Sequence, residues 1–477
     1  MHACCYIAGS WIDTSDHFAV HDPATGKQVG TAADAGAGEV ERAVGAADAA
    51  FASWSSRPGI ERGALLRRLS AELLDGIEHI ADVIVAEQGK PRAQALLEVR
   101  MATQWLDWYA EEARRTYGEI VPASVPGKHL MVLRQPVGVV LAITPWNFPL
   151  YMIVRKLAPG LAAGCTMVVK PAEQTPLGAA ELFAAIDRAG FPAGVANLVT
   201  ASDPEALSKA LLADDRVRKI SFTGSTEVGK ILARASAERL TRVSLELGGH
   251  APFIVFDDAD LDAAVTGLLA AKFQVCGQSC LCPNRIYVQQ TIGAEFQQRL
   301  TAAVSSLKVG PGDDPDVNIG PLIDERGLDK VQRHVDDATA AGASVVLGGG
   351  RLTGPMYDLG HFYPATVLAG VTDDMVVARE ETFGPVVPLL SFVDVDEVIE
   401  RANDSDYGLA AYLYTNDLGR ALRVSKALEY GIVGVNDPTP ATATAPFGGF
   451  KQSGIGREGG HQGIDAFLET KLVSVVS

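Results

Sequence analysis

The chain carries VGVVLAITPWNFP at residues 137–149, CTMVVK at 165–170 and RKISFTG at 218–224. Each segment begins with a short run of β-branched and other apolar residues, reaches turn residues, and is followed by a helical pattern. Strands of this length that alternate with helices are typical of a parallel sheet with helices on both faces. These segments therefore predict an α/β fold built on a doubly wound parallel sheet.

A second series of strand-like runs begins near residue 284 and includes NRIYVQ, VVPLLSFV and LAAYLYT. Helical patterns at 328–341 and 396–403 separate these runs, so the sequence predicts a second α/β domain. The early region differs, because 39–54 and 60–88 are rich in alanine and leucine and predict two long helices. A chain of 477 residues is long enough for about two to four domains.

The composition excludes several classes of partner. The chain has 58 acidic and 41 basic side chains, which gives a formal net charge of −17 at pH 7. Nucleic acids and anionic membrane surfaces both require a basic face, so neither is an expected partner. The uncharged stretch 135–154 contains three prolines, which prevent one continuous membrane-spanning helix. The N-terminus has no basic leader followed by an apolar run, and we expect a cytoplasmic protein.

Two segments alternate apolar and polar residues in the manner of exposed strands, HLMVLRQ at 129–135 and KLVSVVS at 471–477. One interpretation is a surface hairpin and a frayed C-terminal tail. The other is that both segments pair with a partner subunit and hold an oligomer together. The sequence alone leaves the two interpretations open.

Two glycine motifs approach nucleotide-binding signatures. GSTEVGK at 224–230 follows a strand-like run, but Ile231 stands where the Mg²⁺ of a P-loop needs a hydroxyl ligand. A nucleotide hydrolase is therefore a remote alternative, although a glycine turn before a helix is still a good anion site. GIGREG at 454–459 has no strand-like run before it and too few residues after it for a βαβ unit, so we predict a loop there.

Six cysteines are too few for a disulfide framework at this length, and three of them lie in CGQSCLCPNR at 276–285. Their spacing lacks the paired ligands of a structural zinc site, so no metal site is predicted. Small polar residues precede Cys280, which favours a thiol exposed in a cleft. A nucleophilic thiol needs oxyanion donors and a base, whose proximity a sequence cannot show. Cys4 and Cys5 are expected in a mobile terminus and are given no role.

Seven motifs follow one another along the chain: PWNFP (145–149), KPAEQTP (170–176), FTGSTEVG (222–229), LELGG (245–249), GQSC (277–280), ETFGP (381–385) and PFGGFKQSGIGRE (446–458). Their order and spacing resemble the aldehyde dehydrogenase superfamily, and the resemblance runs from residue 22 nearly to the C-terminus. Within that superfamily, SCLCPNR, EQGKP (87–91) and LEYGIVGVN (428–436) are most similar to the succinate-semialdehyde dehydrogenases.

The resemblance implies a domain organisation. It implies a Rossmann-like cofactor domain (1–117 and 137–248), an α/β catalytic domain (249–447) and a small β oligomerisation extension (118–136 and 448–477). It also implies a homodimer or homotetramer, formed through the two edge-like segments.

The resemblance further implies NAD-dependent oxidation of an aldehyde to a carboxylic acid. Cys280 would attack the aldehyde to give a thiohemiacetal, which loses hydride and becomes a thioester. Asn147, with the backbone N–H of Cys280, would stabilise the oxyanion. Glu246 would activate the water that hydrolyses the thioester.

Cofactor contacts are implied in the same way, at Trp146, Lys170, Glu173, Gly224, Ser225, Glu381 and Phe383. Glu173 is the informative residue, because a carboxylate accepts hydrogen bonds from the ribose hydroxyls of NAD⁺ and repels the 2′-phosphate of NADP⁺. NAD⁺ is therefore the expected cofactor, and NADP⁺ is less favoured.

Substrate contacts are where the chain departs from the semialdehyde enzymes that it resembles. Those enzymes hold the distal carboxylate with two arginines; Arg155 matches the first, whereas Gln274 replaces the second. Succinate semialdehyde or a related semialdehyde is the expected substrate, and a non-carboxylated aliphatic or hydroxylated aldehyde is the alternative. Cys282 is expected to pack beside the nucleophile or, as in relatives with the same cysteine pair, to form a reversible disulfide with Cys280.

Overall fold

The structure is a computed structural model that describes residues 1–476. Its α-helices, in chain order, are α1 Ala37–Ser55, α2 Gly59–Asp75, α3 Ile77–Gln88, α4 Arg92–Glu112, α5 Tyr151–Ala163, α6 Pro176–Ala189, α7 Pro204–Ala213, α8 Thr226–Ala237, α9 Leu261–Phe273, α10 Gly293–Ser305, α11 Glu325–Ala340, α12 Val376–Arg379, α13 Val395–Asn403, α14 Leu418–Ala427 and α15 Gln462–Asp465. Short 3₁₀ helices span Gln274–Gly277 and Gln290–Ile292. None of the helices within these residues combines the length and apolarity of a membrane span.

The strands, in chain order, are β1 His2–Ala3, β2 Cys5–Ile7, β3 Ser10–Ile12, β4 His17–His21, β5 Gln28–Ala33, β6 Glu119–Val121, β7 Lys128–Pro136, β8 Val139–Ile143, β9 Thr166–Lys170, β10 Ala196–Leu198, β11 Val217–Thr223, β12 Arg242–Glu246, β13 Ala251–Val255, β14 Pro283–Gln289, β15 Ser344–Leu347, β16 Thr366–Ala369, β17 Val386–Phe392, β18 Tyr407–Gly408, β19 Ala410–Tyr414, β20 Ile432–Val435, β21 Phe450–Lys451, β22 Gly454–Ile455 and β23 Leu468–Val476. They form sheets in the orders β1-β5-β4, β22-β12-β11-β8-β9-β10-β2-β3, β15-β16-β17-β14-β13-β19-β20, β18-β21 and β23-β7-β6.

The eight-stranded sheet has β8, the predicted strand VGVVLAI, near its centre between the parallel strands β9 and β11. Alternate residues of β8 enter two different cores. Val139, Leu141 and Ile143 share a core with α1, α7 and α8, whereas Val140 and Ala142 share one with α5 and α6. Both faces are covered, which explains why the strand is apolar throughout. The predicted doubly wound parallel sheet is confirmed.

The seven-stranded sheet contains the second series of predicted strands. The chain crosses into it directly after LELGG, between the end of β12 and the start of β13. Gly249 is required at this crossing, because a Cβ there would lie 2.1 Å from the carbonyl oxygen of Cys280. The crossing therefore brings the end of β12 against the loop that carries Cys280.

The two segments expected at exposed edges pair with each other. β7 and β23 run antiparallel in continuous register, from Pro136 opposite Leu468 to Lys128 opposite Val476, and β6 pairs with the other side of β7. The interpretation as a surface hairpin and a frayed tail is wrong, because the tail is an ordered strand that pairs with β7. The pairing of this sheet with a partner subunit stays a prediction. Within residues 1–476 the unpaired edges of this sheet belong to β6 and β23, and Ser477 lies outside the described residues.

Three local predictions are wrong. The helix predicted over 60–88 is divided at Gly76, where α2 ends and α3 begins, because glycine is a poor helix former. The N-terminus is ordered rather than mobile, since Cys5 is buried in β2 and pairs with β3. Part of the loop predicted at 454–459 is a strand, because β22 pairs with β12 and extends the eight-stranded sheet.

Candidate active site

The loop that carries Cys280 begins where α9 ends. Val275, Cys276 and Gly277 follow with φ angles of 49°, 58° and 76°, in the left-handed region that residues other than glycine rarely adopt. The backbone N–H of Val275 donates to Oε1 of Gln94 at 2.7 Å, which ties the turn to α4. The turn leaves Cys280 partly exposed and Cys276 buried.

Asn147 lies beside this loop and is buried. Its Nδ2 donates to the carbonyl oxygen of Gln278 at 2.9 Å, and its Oδ1 accepts from the backbone N–H of Phe148 at 3.1 Å. Both ends of the side-chain amide are therefore fixed, and the donor end points at the turn that precedes Cys280. The structure thus brings together the thiol and the amide that the resemblance assigns to the oxyanion.

Two buried charged side chains, Lys90 and Glu98, hydrogen-bond to the backbone around Asn147. Nζ of Lys90 donates to the carbonyl oxygen of Asn147 at 2.7 Å and to Glu98 at 2.5 Å. Oε1 of Glu98 accepts the backbone N–H groups of Leu150 and Tyr151. Further hydrogen bonds of this kind are what a fully buried ion pair needs. The sequence provided no reason to assign a role to Lys90 or Glu98, because the local pattern does not indicate that either residue is buried.

Glu246 is the last residue of β12 and is buried. Its Oε2 has no hydrogen-bond partner among the described residues. Burial, with the nearby charge of Glu458, raises the pKa of Glu246 well above its usual range, and Arg155 opposes the shift. A buried carboxyl group with a raised pKa, within electrostatic reach of the Cys280 thiol, has the properties of a general base.

Two cations share one carboxylate at this site. Glu458 accepts Nε–H of Arg155 at 2.8 Å and Nζ–H of Lys156 at 2.7 Å, and all three side chains are buried. Burial alone would raise the pKa of Glu458, but these two cations hold it below its usual range. Arg155 and Lys156 together carry two positive charges against the single carboxylate of Glu458.

The sequence reasoning missed Glu458 and Lys156. Glu458 lies in the segment predicted as a plain loop, and an acidic residue at the end of the motif PFGGFKQSGIGRE was the signal that could have found it. Arg155, assigned to the substrate, has Glu458 as a partner and its guanidinium lies 3.8 Å from the ring centroid of Phe447. Gln274 begins the 3₁₀ turn before the nucleophile and is partly exposed.

The protonation of Cys280 follows from these surroundings. Burial raises the pKa of its thiol to about 12, against the opposing charge of Arg155. The thiol of the free protein is therefore protonated near pH 7 and must pass its proton to a base before it can attack a carbonyl carbon.

The turn at the N-terminus of α8 has the features of an anion-binding site. Oγ of Ser225 caps this helix by accepting the backbone N–H of Val228 at 3.3 Å. The backbone N–H of Gly224 donates to the carbonyl oxygen of Glu246 at 3.1 Å, which joins the turn to the end of β12. Helix N-termini attract phosphate through free N–H groups and the helix dipole. The turn therefore fits a pyrophosphate.

Aromatic and acidic side chains assigned to the nicotinamide end also lie together. Trp146 and Phe383 meet edge to face with ring centroids 5.6 Å apart, and Phe383 has a left-handed φ of 57°. Glu381 accepts the backbone N–H of Gly249 at 2.9 Å, and burial raises the pKa of Glu381 to about 7. Gly249 therefore connects Glu381 to the crossing that contacts Cys280.

Lys170 and Glu173 form an ion pair at the end of β9. Nζ of the buried Lys170 lies 3.3 Å from Oε2 of Glu173, whose side chain is 34% exposed. Burial lowers the pKa of Lys170, and Glu173 opposes that shift. An accessible carboxylate of this kind can accept ribose hydroxyls and repels a further phosphate, so the pair fits NAD⁺.

The nucleotide-hydrolase alternative has no structural support. In a P-loop the lysine turns back over the phosphates. Lys230 of GSTEVGK is exposed instead, and its Nζ donates to Oε1 of Gln452 at 2.6 Å. Ile231, also exposed, offers no hydroxyl for Mg²⁺.

Cys282 is buried, and its Sγ donates to the carbonyl oxygen of Lys272 at 3.5 Å. All six cysteines are free thiols. These contacts fit the packing role expected for Cys282. A disulfide with Cys280 would have to break them first, and that redox role stays a prediction.

Comparisons with known proteins agree with this geometry. The chain belongs to the aldehyde dehydrogenase family, whose profile matches residues 11–473. It is 50% identical over 458 residues to a probable succinate-semialdehyde dehydrogenase [NADP(+)] of Sinorhizobium fredii, covering 96% of this chain and 92% of that protein. It is also 50% identical over 471 residues to 3-sulfolactaldehyde dehydrogenase of Pseudomonas putida, covering 98% and 96%.

A solved structure gives the same result for the fold. The succinate-semialdehyde dehydrogenase of Burkholderia pseudomallei superposes with a TM-score of 0.97 at 47% identity, covering 100% of this chain and 98% of that one. The predicted family, fold class and enzyme class are therefore confirmed. The chain is an aldehyde-oxidising oxidoreductase of a family that uses NAD(P).

Proposed function

We propose that this aldehyde dehydrogenase oxidises an aldehyde with an anionic group at its far end, succinate semialdehyde or a related semialdehyde, and uses NAD⁺. The observation that carries the proposal is the excess positive charge of Arg155 and Lys156 over Glu458, because the field of Arg155 also reaches Cys280. An anionic substrate balances that charge. The names of the two relatives above likewise denote aldehydes with a distal anionic group.

In the proposed reaction, the ionised carboxylate of Glu246 takes the thiol proton of Cys280, and the sulfur bonds to the aldehyde carbon. Nδ2 of Asn147 then donates to the new oxyanion instead of to Gln278, with the backbone N–H of Cys280 as the second donor. One such donor stabilises the transition state by about 3–4 kcal/mol. Lys90 preorganises this geometry, since it fixes the carbonyl oxygen of Asn147.

When bound, NAD⁺ supplies the hydride acceptor for the oxidation of the Cys280 thiohemiacetal to a thioester. The chain holds the pyrophosphate at Gly224 and Ser225, the adenosine ribose at Lys170 and Glu173, and the nicotinamide end at Trp146, Glu381 and Phe383. Glu246 releases its first proton to solvent and then takes a proton from the water that attacks the thioester carbon. It returns this proton to the sulfur as the C–S bond breaks, and Cys280 leaves as the thiol. The raised pKa of Glu246 suits this proton transfer near neutral pH.

For the cofactor, we expect a higher kcat/KM with NAD⁺ than with NADP⁺, although relatives are named for NADP(+). Glu173→Ser removes the carboxylate that accepts ribose hydroxyls and frees the Lys170 amine to meet a 2′-phosphate. The variant should lose about tenfold in kcat/KM with NAD⁺ and gain at least as much with NADP⁺, as one charge-assisted hydrogen bond would predict. Steady-state kinetics with both cofactors measure the change.

Glu181→Ser is the matched control for this cofactor prediction. Its side chain is 31% exposed and pairs with His79 at 3.3 Å, so it loses a similar carboxylate on α6. Its cofactor preference should equal that of the unchanged enzyme. A wild-type preference for NADP⁺ would overturn the assignment of NAD⁺.

For the substrate, we expect kcat/KM for succinate semialdehyde to exceed that for butanal by at least about tenfold, which is the effect of one compensated charge. Butanal has the same number of carbons and lacks the carboxylate, so the comparison isolates the charge. 3-Sulfolactaldehyde is the third member of the panel, because it replaces the carboxylate with a sulfonate. Equal or better turnover of butanal would contradict the proposal and favour the neutral alternative, which the uncharged Gln274 supports.

Gln274→Arg sharpens the same experiment. A guanidinium at this partly exposed position before the nucleophile can pair with a distal carboxylate, so the variant should gain about tenfold in kcat/KM for succinate semialdehyde and nothing for butanal. Gln274→Leu, which has similar length and no charge, is the control.

A dimeric or tetrameric assembly and a cytoplasmic location remain part of the proposal.

A further inference from the structure

A cluster of metal-ligating side chains lies outside the active site, at the N-terminal sheet. Nε2 of His2 lies 3.1 Å from Oδ1 of Asp13, and Nε2 of His17 lies 2.8 Å from the same oxygen. The thiol of Cys4 completes the group, because the ligand atoms of His2, Cys4 and Asp13 all lie within 4.8 Å of one another. None of these four residues has a role in aldehyde oxidation.

The pairing of the N-terminal strands brings these side chains close together. His2 is in β1 and His17 begins β4, and both strands pair with β5. Cys4 follows β1, and Asp13 follows β3. The two imidazole rings meet edge to face with centroids 5.0 Å apart, so their Nε2 atoms reach the same carboxylate oxygen from different directions.

Neighbouring groups orient the ligands in the way that metal sites require. Nδ1 of His2 lies 2.7 Å from Oγ1 of Thr31, so an Nδ1–H can donate to that hydroxyl and leave Nε2 free to coordinate. Oδ1 of Asp13 also accepts the backbone N–H of Thr14 at 3.0 Å, which fixes the carboxylate. The side chains of His2, Asp13 and His17 are all partly exposed, so an ion can enter from solvent.

We propose that His2, Cys4 and Asp13 form a three-ligand site for a divalent transition-metal ion, with Zn²⁺ as the best-suited ion, water as the fourth ligand, and His17 as the neighbour that holds the Asp13 carboxylate. An imidazole, a thiolate and a carboxylate are ligands that favour zinc over magnesium or calcium. Zinc bonds to nitrogen and oxygen are about 2.0–2.2 Å long and bonds to sulfur about 2.3 Å, so short shifts of these side chains admit the ion. The thiol proton of Cys4 is released to solvent as the sulfur–zinc bond forms.

The site has a mechanical role in this proposal. Its ligands come from β1, from the residue that follows β1 and from the loop after β3, so one ion joins two separate parts of residues 2–13. An ion that binds the folded chain stabilises it by mass action. Zinc should therefore raise the unfolding temperature without changing the chemistry at Cys280.

The test is zinc titration of the full chain against a chromophoric chelator. Cys280→Ala is used as the background, so that the partly exposed active-site thiol makes no contribution to the titration. This protein should bind one Zn²⁺ per chain, and adding Asp13→Asn or His17→Gln should weaken binding more than about tenfold, since even losing an outer-shell partner weakens metal binding about 10–100-fold. His79→Gln, on another exposed histidine that pairs with a carboxylate, should leave the affinity unchanged.

Cobalt gives a second readout that does not depend on stability. Co²⁺ in the site should show a thiolate-to-metal charge-transfer band that Cys4→Ser removes and Cys5→Ser, at the buried neighbour, retains. Excess zinc should raise Tm for the Cys280→Ala protein and not for the protein that also carries Asp13→Asn. Absence of stoichiometric zinc binding, or equal affinity in the Asp13→Asn, His17→Gln and His79→Gln proteins, would overturn the proposal.

Discussion

Replacing Cys280 by alanine should lower steady-state cofactor reduction by more than about 10⁴-fold, because no other thiol can take its place. Cys276 and Cys282 are both buried, and Cys282 donates its S–H to the carbonyl oxygen of Lys272. Aldehyde-dependent absorbance of the reduced cofactor measures the loss. Tm of the variant should stay close to that of the unchanged enzyme, since Cys280 is partly exposed and the change is small.

Cys282→Ala is the control for this prediction, since it removes a cysteine of the same loop and should retain most of the turnover. Substantial turnover by the Cys280→Ala enzyme would remove Cys280 from the reaction. Loss of turnover in both variants with unchanged Tm would show that the loop needs the thiol of Cys282 as well, against the packing role assigned to it.

A Glu246→Gln enzyme should release one rapid burst of reduced cofactor per site and then slow by about 10²–10⁴-fold, the usual effect of a missing general base. The burst reports acylation of Cys280, whose proton passes to water in this variant, and the slow phase reports thioester hydrolysis. Glu246→Gln keeps the shape of the side chain, so packing against β22 is preserved. Stopped-flow absorbance resolves the two phases.

The role of Glu246 also predicts the direction in which the steady-state rate changes with pH. The pKa of Glu246 is raised, so the carboxylate that accepts a proton forms only above that raised pKa. The steady-state rate of the unchanged enzyme should therefore fall as pH drops through it, and this acidic limb should be absent from Glu246→Gln. Glu238→Gln, at the exposed end of α8, should keep both the rate and the limb. A Glu246→Gln enzyme that turns over at the full rate would contradict the role.

Local patterns predicted the fold because each element carries its own signal. β8 reads as apolar at every position, since Val139, Leu141 and Ile143 enter one core and Val140 and Ala142 the other. The motif-based assignment also placed Cys280, Asn147 and Glu246 in one site, and the structure does bring these residues together. Their roles in the reaction await the experiments above.

What the sequence could not predict are pairings between distant segments. Arg155 and Glu458 are separated by about three hundred residues, and neither position shows that the other neutralises it. β7 and β23 each have the alternation of an exposed strand, and that pattern does not reveal which strand will pair with which. The sequence also does not predict the left-handed conformation of Val275. β-Branched residues disfavour that conformation, and only the surrounding contacts impose it.

The late arrival of β22 and Glu458 in the chain has a consequence for biosynthesis. A ribosome has already translated the nucleophile, the base and every other strand of the two large sheets before residues 454–458 appear. Until then the edge of β12 is uncovered, and Arg155 and Lys156 lack their shared carboxylate. Domains fold as units while synthesis proceeds. The environment of the Cys280 thiol is therefore complete only after nearly the whole chain has been synthesised.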